Sequence, residues 1–359
     1  MKILVFEWLV GGGIAGETDV PANDPFLLQG ADMYGAVLDD CLSLGVEVLS
    51  PLDPQRTSAI ANFETLQHQD NFHVTPITIA HDLEPALQSL ARQADHVFLI
   101  APECEGILMR CLQWLDGFQS KLLCGPQSLI EIFADKNETQ QLLKSEGIAV
   151  PPGIPLPPKI MTTGEDGALP KLIAVTEELS WPLVLKPADG AGGDNIFLCQ
   201  NPDQLVSAMA MVKESGSNLR VEHYVAGKPV SVSIVRNQHE TRLLPGTEQQ
   251  FSNTWNRRPP DDSENVDPEP IGHFVKSAYP LDNDLQCRAG VLASAVADAL
   301  PTWRGYLGID MVLTDDGPDV VAELNPRLTA SWCRVRKETG VTLIEFLLPA
   351  QRPRQGGLK

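Results

Sequence analysis

The chain has 359 residues, 43% hydrophobic and 21% charged, which suits a globular protein of two or three domains and excludes a disordered or low-complexity chain. Its formal net charge of −20 argues against a broad nucleic-acid or anionic-membrane surface, because both need clustered Lys and Arg to neutralise phosphates. The seven cysteines are scattered from Cys41 to Cys333 without a CxxC pair, no secretory h-region opens the chain, and no run of ~18 apolar residues occurs, so reduced thiols and a cytoplasmic location are expected.

Ile3–Phe6 reads as a buried strand, followed by Gly11-Gly12-Gly13-Ile14-Ala15-Gly16, formally G-x-G-x-x-G. The dinucleotide fingerprint needs a strand feeding directly into a helix, and Pro21 and Pro25 stop one here, so a loop letting backbone approach some other ligand is expected. Phe26–Leu44 is amphipathic at helical spacing and Gly45 ends it. Strands are predicted at Val46–Leu49, Phe72–Ile79, His96–Ala101 and Lys121–Cys124, with helices at Asp82–Ala94 and Glu105–Phe118. That alternation predicts a parallel α/β sheet with helices on both faces. Glu103, just past the strand His96–Ala101, lies where open α/β sheets meet ligands, or else simply begins the next helix.

Helices follow at Ser128–Ala134 and Glu138–Glu146, and the proline-rich Val150–Pro158 marks a linker or boundary. Strand Pro182–Lys186 then runs into a loop containing Gly190, Gly192 and Gly193. Backbone amides beside a Lys suit a triphosphate, although an ordinary turn has the same appearance. Beyond strand Asn195–Gln200, helix Pro202–Gly216 and strand Leu219–Tyr224, an antiparallel pair is predicted at Val230–Val235 and Glu240–Leu244. Pro245–Pro280 reads as a long connector, Asp284–Leu300 as a helix and Leu343–Leu348 as a last short one.

Between those two helices, Ile309–Thr314 and Val320–Leu324 flank Asp315-Asp316-Gly317-Pro318 and predict a β-hairpin. Strand alternation turns Glu323 and Asn325 to one face, and Asp310 can join them from the neighbouring strand. Three oxygen donors without Cys or His suit Mg²⁺ beside phosphates, with Mn²⁺ the alternative; an acidic strand end in an acidic protein is the plain reading.

The order and spacing of Asp135-Lys136, the Lys186 loop, Val221-Glu222-His223-Tyr224-Val225 and the Asp310/Glu323/Asn325 hairpin resemble the ATP-grasp superfamily, from about Asp135 to Leu347. The resemblance implies a mixed α/β and α+β architecture: an ATP-grasp fold preceded by a Rossmann-like pre-ATP-grasp domain. Its implied divisions are 1–125, 126–225 and 226–359. It implies that Lys136 and Lys186 contact ATP phosphates, that Gly190, Gly192 and Gly193 close over them, and that Glu222 and the backbone to Val225 meet adenine. Asp310, Glu323 and Asn325 would hold Mg²⁺, and Arg327 would act with Lys186 on the transferred phosphoryl group. Many relatives carry an acid for ribose where this chain has Gly227-Lys228-Pro229.

The activity so implied is carboxylate–amine ligation through an acyl phosphate, on small-molecule substrates, with a homodimer left open. The stretches FEWLVGGGIAG, IAPECEGIL and ELNPRLTAS are similar to the tyramine–glutamate ligase branch, implying glutamate as acyl donor and tyramine as acceptor in methanofuran-type cofactor synthesis. Arg327, Arg334 and Arg336 would meet the anionic donor, and Trp255, Tyr279 and Trp332 offer stacking surfaces or plain packing. An ATP-grasp ligase for another amino acid or peptide, an ATP-grasp phosphotransferase, a nucleotide-binding scaffold and a Rossmann oxidoreductase are the rival classes. His223 and His273 are the weak candidates for a general base.

Overall fold

The computed structural model describes residues 1–156, 179–190, 195–212, 218–252, 268–272 and 274–348, together with Thr176 and Gly193. The first layer is a parallel sheet of β1 (Lys2–Glu7), β2 (Glu47–Leu52), β3 (Phe72–Pro76) and β4 (His96–Ile100), in the order β3-β2-β1-β4. β1 is buried along nearly its whole length, as a strand covered by helices on both faces must be. The chain winds outward from β1 to β3 and then returns to pair β4 on the other side of β1. Strand order therefore reverses between β1 and β4, and their carboxyl ends carry Glu7 and, three residues past β4, Glu103.

Helix α1 (Pro25–Ser43) starts at Asp24, whose carboxylate accepts from the amides of Phe26 and Leu27. Gly45, at φ 66°, follows its C-terminus. The glycine loop between β1 and α1 is a buried series of turns. A Cβ on Gly11 or Gly13 would fall within 2.5 Å of Phe6 or 2.2 Å of Trp8. Close packing thus accounts for these glycines, where the sequence suggested backbone approach to a ligand.

Lys121–Cys124 is not a strand. A single bridge, Val97↔Leu122, touches the sheet, and Lys121 instead donates its ammonium to Ala91 O at 2.8 Å and Ala94 O at 2.6 Å, capping the C-terminal end of the helix Leu83–Gln93. Helix 107–114 is shorter than predicted, because Glu105 and Gly106 take positive φ.

Two antiparallel sheets follow. One has the order β12-β7-β6-β8-β5, built from β5 (Gly153–Leu156), β6 (Leu183–Pro187), β7 (Phe197–Cys199), β8 (Leu219–His223) and β12 (Glu269–Pro270). The expected linker at 150–158 therefore contains a strand, admitted at the sheet edge where prolines are tolerated. The other runs β13-β11-β9-β14-β15, with β9 (Gly227–Arg236), β11 (Thr247–Phe251), β13 (Phe274–Ala278), β14 (Gly305–Thr314) and β15 (Val320–Asn325); β10 (Thr241–Leu243) adds to β9. The expected long connector 245–280 thus supplies three short strands, and residues 253–267 within it lie outside the described residues. Among the described residues no helix is long and apolar enough to cross a membrane.

Candidate active-site cleft

A cleft opens between the two antiparallel sheets. Its apolar end is walled by Val184, Ile196 and Tyr224 on one side and by Met311, Val312 and Ala322 on the other. Its polar end gathers Lys186, Asp310, Glu323, Asn325 and Arg327. The hairpin explains part of this convergence. Asp310 and Glu323 are direct cross-strand partners, Asn325 faces Gly308, and the register shifts just after Asp310, as at a β-bulge. Asn325 Nδ2 donates to Asp310 Oδ2 at 3.0 Å, and Gln249 Nε2 donates to Asp310 Oδ1 at 3.2 Å. Burial and the adjacent Glu323 charge push Asp310 up to about 6. Two crowded carboxylates and an amide in this state suit a hard divalent cation, which would relieve their repulsion. Among the described residues no three His, Cys, Asp or Glu side chains cluster as ligands, so the set rests on the Asn325 amide as its third member.

Helix 136–145 begins at Asp135, whose carboxylate accepts from Asn137 N at 2.7 Å. This fixes Lys136 at the helix mouth, where its ammonium meets Glu323 Oε1 at 2.8 Å and Gly190 O at 2.5 Å. The residues expected to hold phosphate and metal are thus bonded to each other, and Gly190 is held on the same ammonium. Gly193, at φ +86°, lines the cleft and packs a prospective Cβ 3.1 Å from Gly272 O. Gly192 lies outside the described residues.

Lys186 leaves β6 with its ammonium 2.7 Å from Glu222 Oε2. Glu222 sits on β8, and its other oxygen accepts from Arg220 Nε at 2.6 Å and from Gln140. Burial alone would raise the Glu222 carboxyl, but Lys186 and Arg220 hold it below its ordinary value. The Glu222 side chain is therefore committed to anchoring Lys186, while Tyr224 and Val225 line the cleft beyond it. Arg220, Gln140 and Asn137 complete this buried network without having been singled out. The signal available was Arg220-x-Glu222 alternating with apolar Leu219 and Val221, two charges turned to one face.

Arg327 lines the cleft but is held from outside the two sheets. Its Nε donates to Glu103 Oε2 at 2.8 Å and its Nη1 to Leu328 O at 3.1 Å. Burial would lower its pKa, and Glu103 more than offsets that, so the guanidinium stays charged. Behind it runs a hydroxyl chain in which Ser331 Oγ lies 2.7 Å from Thr329 Oγ1 and 3.3 Å from Ser231 Oγ, with Tyr306 2.6 Å from Thr329.

Several expected contacts do not converge here. Arg336 donates to buried Asp40 of α1 at 2.7 Å, and Arg334 pairs with Glu338 at 3.1 Å along its own helix. Trp332 is 1% exposed and packs edge-on to Tyr306, a core position. Tyr279 is half-buried and does not line the cleft; Trp255 and His273 lie outside the described residues. His223 lines the cleft, but its Nδ1 lies 2.6 Å from Ser180 O. The aromatic wall is instead Phe251 with Phe274, ring centroids 6.4 Å apart and edge to face.

The ATP-grasp domain family matches residues 133–331, and the pre ATP-grasp 3 domain family matches residues 57–130. D-alanine–D-alanine ligase A of Bacillus cereus is 32% identical over 104 residues, spanning 29% of this chain and 32% of that protein. The D-alanine–D-alanine ligase of Lawsonia intracellularis is 23% identical over 206 residues, 56% of this chain and 63% of the relative. Among solved structures, biotin carboxylase of Campylobacter jejuni superposes with a TM-score of 0.67 at 17% identity, covering 98% of this chain and 72% of the other. N5-carboxyaminoimidazole synthetase of Staphylococcus aureus gives 0.60 at 17% identity, covering 92% and 71%. These two likenesses show the fold, and the D-alanine ligases are each matched over less than two thirds of their length. The ATP-grasp match alone spans more than half of the sequence, with the pre ATP-grasp match directly before it: the chain belongs to the ATP-grasp family.

Proposed function

We propose that this chain is an ADP-forming carboxylate–amine ligase that activates a substrate carboxylate with ATP and transfers the acyl group to an amine. The observation carrying this reading is that Lys136, Lys186 and Arg327 converge on one end of the cleft with Asp310, Glu323 and Asn325. The apolar end suits adenine, with Tyr224, Val225 and Met311 around it, and the chain offers Pro229 rather than an acid toward the ribose. When bound, ATP supplies the phosphoryl group that activates the carboxylate, and Mg²⁺ offsets the phosphate charge. Asp310, Glu323 and Asn325 would hold the metal. Lys136 and Lys186 bind and orient the phosphates, Gly190–Gly193 shield them from water, and Arg327 stabilises charge on the group in transfer. No Ser/His/Asp relay is required, because activation comes from the nucleotide.

In this reading 1–125 is the pre-ATP-grasp domain, 126–225 the first ATP-grasp subdomain and 226–359 the second, with Glu269–Pro270 returning to pair β7 in the first. Glutamate and tyramine are the proposed donor and acceptor, supported by the resemblance of the short N-terminal and hairpin stretches to the tyramine–glutamate ligase branch. Arg327 is the guanidinium available for the anionic donor, and Phe251 with Phe274 is the aromatic surface available for the acceptor. The test measures ADP release with Mg·ATP and glutamate, alone and with tyramine or other amines. Release that depends on both carboxylate and amine supports ligation; release on one substrate alone means phosphotransfer, and none with any pair overturns the reading.

A further inference from the structure

Glu103 lies three residues beyond β4, beside the point where strand order reverses, and is only 6% exposed. One carboxylate oxygen, Oε2, takes the 2.8 Å bond from Arg327. The other, Oε1, is buried and has no hydrogen-bond partner among the described residues. A buried oxygen in that state lacks the donor its burial demands.

The surroundings are anionic. The Cys104 thiol is pushed up to about 11 by burial first, then by Glu103, Glu105 and Asp189, against a single opposing charge, Arg327. Asp189 Oδ1 is itself buried and has no partner among the described residues. Glu7, buried at the end of the neighbouring strand, also feels the Arg327 charge. Neither nearby lysine compensates, since Lys136 is bonded to Glu323 and Gly190 O, and Lys186 to Glu222. The junction therefore holds more carboxylates than cations. No three acidic, His or Cys side chains among the described residues cluster as metal ligands, so the cation that fits is one recognised through N–H donors.

We infer that Glu103 Oε1 is the docking point for the acceptor substrate, received as a primary ammonium between the pre-ATP-grasp sheet and Arg327. The inference rests on the ligase reading and adds where, and in what charge state, the amine enters. One carboxylate then does two things. Through Oε2 it seats Arg327 at the cleft. Through Oε1 it holds the ammonium and takes its surplus proton, which frees the neutral amine to attack the acyl carbon as phosphate leaves. Asp189, beside Gly190, adds to the negative field at the same junction.

The test is isothermal titration of the full chain, saturated with Mg·ADP, with n-butylamine and tyramine, each against its neutral counterpart, butanol and 4-ethylphenol. At least one amine binds about tenfold tighter than its counterpart at neutral pH, as one charge-assisted hydrogen bond provides. Glu103→Gln keeps an oxygen for Arg327 and erases that preference, while ADP affinity moves by less than about twofold. Asp189→Asn weakens the preference without erasing it. ADP binding without any amine preference, or a preference that survives Glu103→Gln, overturns the inference; should that variant not fold, an unchanged preference in Asp189→Asn does so. A wild-type chain that binds no ADP overturns the ligase reading itself.

Discussion

The hairpin 305–325 and the Glu103–Arg327 junction sit at the same end of one cleft, yet they are assembled in opposite ways. In the hairpin, Asp310 and Glu323 are neighbours because two strands pair in register, and the turn between them is short. At the junction, Arg327 meets a carboxylate 224 residues away, across a domain boundary. The first is a local device that strand alternation fixes; the second exists only once two separately built layers dock. Local construction makes the hairpin's carboxylate end resistant to changes elsewhere, whereas the junction makes Arg327 depend on the seating of the parallel sheet.

Substitutions that break this comparison have graded effects. Glu323→Gln or Asn325→Ala removes a proposed metal ligand at the strand end, and turnover should fall about a thousandfold with the fold intact. Steady-state ADP release across a Mg²⁺ titration checks this, and near-normal activity at limiting Mg²⁺ would refute the metal assignment. Glu222→Gln leaves Lys186 and Arg220 buried without their counter-charge and should cost about 4 kcal/mol of stability by denaturant unfolding.

Glu7 sharpens the junction side. Burial raises its pKa from 4.5 to about 7 despite amide bonds from Val10 and Leu9 and the Arg327 charge. Below pH 4.5 folded and unfolded chains both hold this proton; between 4.5 and about 7 the unfolded chain releases it first, so stability falls as pH rises. The loss from this group is about 3 kcal/mol across that window, and Glu7→Gln should flatten that part of the stability profile. An unchanged slope between the two pH values would mean Glu7 is solvated. Asp135→Ala removes the cap that places Lys136 and should have the smallest effect, about 1 kcal/mol in unfolding. A larger loss of activity than of stability there would show that the cap positions Lys136 for chemistry.

Strand and helix periodicity sufficed for the first four strands of the α/β front layer, the hairpin and its three polar groups, and the strand that carries Lys186, because each depends on neighbours within one turn or one strand pair. The short edge strand at Gly153–Leu156 and the strands within 245–280 escaped that reading, since prolines and weak alternation hide strands that only sheet edges and partners stabilise. Lys121–Cys124 has strand composition but a single bridge to pair with. Glu222 was legible as a charged residue at the cleft, but its bond to Lys186 was not, because the two meet across paired strands β6 and β8. The fates of the arginines show the same division. Identical guanidinium groups at Arg327 and Arg336 are equal candidates in sequence, and only tertiary packing turns one toward the cleft through Glu103 and the other toward Asp40 of α1. Sequence by itself determined which side chains carry charge and which strand face they share. Docking of the three sheets decided which charges meet, because burial makes an unpaired ion costly and the pairing that avoids it spans the whole chain.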